Sequence, residues 1–177
     1  MLRVPESRDR QLFRDRSPIM EMAVTDNLEK VQLIARDLRN GKDFPRSPRV
    51  TLGGYVLAAR ALDKCRAVLV GWQGEYHYNC PLDQRWLKFA EINYDQYKSF
   101  VATGATDEEV APWIGEHAKK RSRADIVIWN NKERDLRLSD LSPELQEYME
   151  DYIAISVPRN RVVYHWFDVY DLEEERL

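Results

Sequence analysis

His77 and Cys80 stand three residues apart in the string GEYHYNCPLD, just ahead of Pro81, a residue suited to the first position of a helix. An imidazole and a thiol at that spacing offer two chemistries. They are ligand types that zinc or copper accepts, with His165 or Asp83 as further donors. Alternatively, Cys80 is a nucleophile and His77 its base, helped by the helix N-terminus that follows. Neither is well specified. A structural zinc site takes four protein ligands and the chain has no second close pair, so no metal or other cofactor is expected. No neighbour clearly supplies a third group to orient the base, and Cys80 reads more simply as the cap of the next helix.

The segment from Thr51 to Asp83 reads as an almost wholly apolar helix carrying a few charges, followed by this short loop. At 3.6 residues per turn, Tyr55, Ala58, Ala59, Leu62, Cys65 and Leu69 share one face, while Leu57, Ala61 and Val68 occupy a second. Such a helix is expected to be central and covered on most sides. Arg66 falls within the first face and Asp63 lies one turn before it, so the two side chains are expected to meet. With Arg46 or Arg49 folded beside Arg66, surplus positive charge would hold a carboxylate or phosphate; otherwise the pair is a structural ion pair. Phenols combine an apolar body with a polar tip, so Tyr55, Tyr76 and Tyr78 are candidates to line a pocket. The candidate ligand site is therefore Tyr55, Asp63, Arg66, Tyr76, His77 and Tyr78, and the bland alternative is that these residues only cover a core. His117 and His165, beside Trp113 and Trp166, read as packing residues.

A chain of 177 residues suits one domain with a continuous core. Its formal charge of -3 provides no global field for nucleic acid or an anionic membrane surface. No stretch approaches the roughly 18 apolar residues of a membrane span, and the two cysteines fit a reducing cytoplasm. The patterns GxGxxG, Walker loop, HExxH and paired CxxC are missing, which removes the common nucleotide and metalloprotease readings.

The remaining elements read mainly as helices. Residues 1–24 are Arg-rich and aperiodic and are expected to form a flexible N-terminal extension, in which Met20 and Met22 are alternative translation starts; a single helical domain is expected over 25–177. A first helix is expected from Thr25 to Asn40 and Gly41, followed by a breaker, KDFPRSPR, that holds Lys42, Arg46 and Arg49 near the central helix. Later helices are expected to open at Pro81, Asn93, Thr106, Ser122 and Pro143, with Pro112 kinking or delaying the one after Thr106. The final stretch, RVVYHWFDVYDLEE, fits both a short strand and a helix from Asn160, with helix favoured and an end near Leu172. The sum is a mainly α, single-domain bundle of about six to seven helices.

The strings PRSPRVTLGGYVLAARALDKCRA, GEYHYNCPLDQ, VATGATDEEV and YHWFDVYDLEE occur in that order and together resemble a bacterial family known as domain of unknown function number 5069, over roughly Asp37 to Leu172. The resemblance implies a mainly helical fold and brings no catalytic assignment. The functional expectation is a non-enzymatic helical binding or interaction protein with a pocket for a small, anionic ligand. An enzyme acting through His77 or Cys80 in the same pocket, and a structural homo-oligomer without ligand, are the alternatives.

Overall fold

Every residue from Ala58 to Ala67 of one helix is buried, and the other elements are arranged around it. The computed structural model describes residues 18–41 and 43–177, with side chains from Asp26 onward; residues 1–17 of the expected extension, and Lys42, lie outside the described residues. Among the described residues eight α-helices run in order: α1 (Pro18–Ile34), α2 (Ala58–Val70), α3 (Pro81–Ala90), α4 (Tyr94–Val101), α5 (Asp107–His117), α6 (Arg123–Arg134), α7 (Pro143–Ser156) and α8 (Trp166–Glu173). A 3-10 turn, Leu138–Asp140, precedes α7. Among the described residues there is no sheet, only isolated antiparallel bridges at Leu52 with Tyr55 and Arg137 with His165. The class is mainly α, with eight helices in place of six to seven.

The central helix is α2, and α1, α3 and α4 pack directly on it. Ala58, Ala59, Ala61, Leu62 and Cys65 are fully enclosed, their small side chains allowing close approach. Burial pushes the Cys65 thiol up to about 12, as befits a core residue. Trp86 of α3 is fully buried and meets Tyr97 of α4 edge-on at 5.3 Å between ring centroids.

The apolar run from Thr51 does not start this helix. Gly53 and Gly54 both take positive φ, and Leu52 and Tyr55 exchange backbone hydrogen bonds of 3.0 and 3.1 Å, which closes a tight turn. A Cβ on Gly53 would lie 2.9 Å from Ile114 Cγ2 of α5, so only glycine fits there. The buried Asn130 of α6 locks the turn: its Oδ1 accepts the Val56 N–H at 3.1 Å and its Nδ2 donates to the Gly54 carbonyl at 2.8 Å. Tyr55 is therefore off the helix, edge-on to Phe89 and Trp129 at 6.2 and 6.3 Å.

Several helix starts follow from their caps. Asn93 Oδ1 accepts the N–H groups of Asp95 and Gln96 at 2.9 and 3.1 Å, and Ser122 and Asp125 bond reciprocally at 3.1 and 3.3 Å. α5 begins at Asp107 and runs through Pro112, so the later start expected of it does not occur; the proline is the sixth of eleven residues, and its missing N–H costs the helix one hydrogen bond. The helix expected from Thr25 to Asn40 instead spans Pro18–Ile34; beyond it Asp37 accepts the Arg39 N–H and guanidinium, a local turn that competes with helix. α8 starts at Trp166, not Asn160. The residues before it are strand-like only in pairing: Leu138 donates to the Tyr164 carbonyl at 2.9 Å and Trp166 to the Leu136 carbonyl at 3.0 Å.

Asn130→Ala would leave the Val56 N–H buried without a partner and remove the bond to the Gly54 carbonyl, and stability should fall by about 1–3 kcal/mol. Urea unfolding measures this; a midpoint equal to that of the parent would show that the Gly53–Gly54 turn holds itself.

Candidate functional site

α2 buries four ionisable side chains, Arg60, Asp63, Lys64 and Arg66, each at most 3 % exposed. Burying a charge is tolerable only with a partner, and each of these has a different one. Arg60 forms a bidentate pair with Glu174 at the end of α8, at 2.8 and 2.6 Å. Asp63 accepts from the Arg46 backbone and guanidinium at 2.8 and 2.9 Å, with Arg36 at 3.4 Å. Lys64 Nζ lies 2.8 Å from Asp83 of α3. Arg66 donates to Asp107, the first residue of α5, at 2.6 Å and to the Ala105 carbonyl at 2.7 Å. Arg46 also reaches Asp107 and so joins the Asp63 and Arg66 pairs into one network.

The expected contact between Asp63 and Arg66 does not form. One turn apart on a helix permits a pair, but both side chains splay outward to chain segments that also need their charges met. The condition for an anion site was a surplus of guanidinium, and the structure matches Arg66 and Arg46 with Asp107 and Asp63. Burial alone would raise the Asp107 carboxyl, yet the Arg46 and Arg66 bonds outweigh it and its pKa lies below the ordinary value.

A cleft of about 670 Å³ lies between α2, the loop to α3, α7 and α8. The loop is held in place at several points. Leu38 donates to the Trp72 carbonyl at 2.9 Å; Gly74, at φ +54, lies where a Cβ would stand 2.5 Å from the Leu38 carbonyl oxygen; and Lys64 Nζ donates to the His77 carbonyl at 3.1 Å. This points the Tyr76 ring into the cleft, opposite Tyr148 and Tyr152 of α7 and Tyr170 and Trp166 of α8. Arg60 lines the floor, and the buried Glu174 holds it from behind. The Arg60 guanidinium sits 5.6 Å from the Tyr76 ring centroid and 5.0 Å from that of Tyr170, and the Tyr76 hydroxyl donates to Glu174 at 2.9 Å.

Burial opposes the charge on both members of the floor pair, but their mutual hydrogen bonds prevail. Glu174, which Arg176 also contacts, titrates below its ordinary range and Arg60 above its own. The next carboxylate differs. Burial raises Glu173, and neighbouring Glu174 adds to the rise against the opposing pull of the Tyr152 hydroxyl, which donates to both its oxygens at 2.7 Å.

The six residues of the expected site thus fall in separate places. Tyr76 and His77 line the cleft. Asp63 and Arg66 line a shallower depression with Arg36, Arg46 and Asp107. Tyr55 is core, and Tyr78 turns towards α4, where its hydroxyl donates to the Tyr94 carbonyl at 3.1 Å. The His77 side chain is exposed and makes no hydrogen bond with Cys80 among the described residues; the group beside Cys80 Sγ is Lys64 Nζ, at 3.3 Å. Among the described residues no three His, Cys, Asp or Glu side chains are grouped as metal ligands.

A family model matches residues 42–176, which takes in the breaker segment, α2 through α8 and every residue named in the cleft. The chain belongs to the family Domain of unknown function (DUF5069). No curated protein matches it. Within this DUF5069 chain, the cleft residues absent from the expected site include Arg60, Tyr148, Tyr152, Tyr170 and Glu173, with Glu174 beneath them. Arg60 carried a signal: it lies between Ala59 and Ala61 in the apolar run, so its charge had to be met inside the fold. Among the described residues, no helix is long and apolar enough to cross a membrane.

Glu174→Ala would strand the Arg60 guanidinium and should cost about 3–5 kcal/mol, whereas the double variant Arg60→Met, Glu174→Leu should recover most of that loss. Because the folded pKa values of Glu174 and Asp107 are depressed, their contribution is complete at neutral pH and disappears as pH falls below about 4 and through the folded values. Unfolding midpoints from about pH 7 to about pH 2 should show this acid loss, less steep in Glu174→Gln. An unchanged acid limb would contradict the assignment.

Proposed function

We propose that this protein is a non-enzymatic small-molecule-binding protein whose ligand occupies the cleft between α2, the tyrosine loop, α7 and α8. The observation that carries the reading is the wall of aromatic rings above a floor whose charges are already satisfied. Concave sites of about 300–1,000 Å³ with apolar walls and a few fixed polar groups are the usual form of ligand pockets. At about 670 Å³ the cleft falls within that range. Its rings are supported by the rest of the molecule: Tyr76 is held by Glu174, Tyr152 by Glu173, and Tyr170 by the Arg60 guanidinium beneath it. Preorganised walls lose little conformational freedom when a ligand binds.

The anionic ligand expected around Arg66 has no support, since that guanidinium is neutralised by Asp107. Catalysis by a Cys80–His77 pair lacks the required hydrogen bond. Binding therefore remains the better reading of this cleft.

The test is a thermal-shift screen of small metabolites on the full chain, repeated with Tyr148→Ala. Tyr148 is 56 % exposed and lines the cleft, so its truncation should leave the fold intact. At a concentration of about one hundred times Kd a ligand stabilises by about 2.7 kcal/mol, which for a domain of this size raises the melting temperature by roughly 5–10 °C. The rise should shrink or vanish in Tyr148→Ala. A ligand that shifts both proteins equally would place binding elsewhere.

A further inference from the structure

We infer that the cleft selects an organic cation with a flat apolar body, such as an amidinium or ammonium on a ring, and that Glu173 is its counter-ion. The inference rests on the proposed binding function of this cleft and names the ligand class.

The argument begins with two adjacent carboxylates. Glu174 and Glu173 each accept a hydrogen bond from a tyrosine hydroxyl, Tyr76 at 2.9 Å for the first and Tyr152 at 2.7 Å for the second. Glu174 also holds a cation, Arg60, whose guanidinium lies against the Tyr76 and Tyr170 rings. The molecule thus already contains one complete arrangement of carboxylate, tyrosine hydroxyl, aromatic faces and cation. Glu173 repeats the arrangement one residue on, with Tyr152 and Tyr148 stacked at 5.7 Å between centroids, but among the described residues no Lys or Arg lies within ion-pair distance of it. The groups that would complete it must come from the cleft, which Glu173, Tyr148 and Tyr152 all line.

Charge favours the same class. The two cations in the lining, Arg60 and Lys64, are matched one to one by Glu174 and Asp83, so Glu173 and the exposed Glu75 are the surplus. An anion entering here would meet like charge, and a neutral ligand would leave a half-buried carboxylate with a single donor. A carboxylate has about four lone-pair directions, and the Tyr152 hydroxyl, placed between the two oxygens, leaves the outer lone pair of each for an N–H donor. The tyrosine faces add attraction for a cation placed over the ring.

The experiment compares three molecules of one shape, benzamidinium, benzamide and benzoate, titrated into the full chain and into Glu173→Gln by calorimetry. Circular dichroism and a melting temperature matching the parent establish that the variant is folded, and the comparison of the three ligands within the parent protein stands without it. The expected result in the parent is benzamidinium tighter than benzamide by about tenfold or more, from one charged hydrogen-bonded contact, and benzoate weakest. In Glu173→Gln the advantage of benzamidinium over benzamide should fall to less than about threefold. Equal or tighter binding of benzamide or benzoate by the parent overturns the cationic class and leaves the cleft as a binding site. A cation preference that survives in Glu173→Gln overturns the role of Glu173. Binding of none of the three at millimolar concentration overturns both this inference and the cleft as a small-molecule site.

Discussion

Four ionised side chains on a single buried helix must each be met by a counter-charge from another part of the chain, and that requirement organises this protein. α2 has an apolar body of small residues, which on its own would tolerate several ways of docking its neighbours. Its charges remove that freedom. Arg60 takes the end of α8, Asp63 takes the breaker segment through Arg46, Lys64 takes the start of α3, and Arg66 takes the first residue of α5. Pairs of this kind contribute little net stability over apolar residues of equal volume, yet misplacing any of them leaves a charge stranded in the interior. Their main effect is on which arrangement of helices is allowed. The docking of α8 through Glu174 is reinforced from the breaker segment, since Arg49 reaches Asp168 and Asp171.

The cleft is a consequence of that arrangement. Drawing the end of α8 onto Arg60 brings Tyr170 and Trp166 alongside the tyrosine loop, and α7, packed on α8, supplies Tyr148 and Tyr152 as the facing wall. The acidic tail would be unfavourable at a helix C-terminus if exposed, because the helix dipole repels it. Here the repulsion is offset for Glu174 by two guanidinium groups, from Arg60 and Arg176. Glu173 receives only a phenol, and this inequality between neighbouring carboxylates gives the cleft its chemical character.

Much of the helical pattern was legible because it is local. Asn93, Thr106 and Ser122 mark helix starts through hydrogen bonds made within four residues, and Pro143 marks one through the fixed φ of its ring. Periodicity likewise marked α2 as central. It failed at Tyr55, where apolar spacing continued through two glycines that the backbone uses as a turn; after Thr106 it held, and the helix runs through Pro112. The last segment read as both strand and helix, and its residues do form both a bridge at His165 and a helix from Trp166.

The sequence by itself determined that the chain is mainly helical, that the apolar segment following Thr51 carries an enclosed helix, and that any charge there requires a partner, because propensity, capping and burial periodicity depend on neighbours a few residues away. Only the tertiary structure decided who the partners are. Arg60 and Glu174 are separated by most of the domain in the chain and meet bidentately in the core, while Asp63 and Arg66, one turn apart, do not pair at all. Electrostatic partners are chosen by distance in space and by the cost of leaving charges buried alone, and neither quantity exists until the helices have packed.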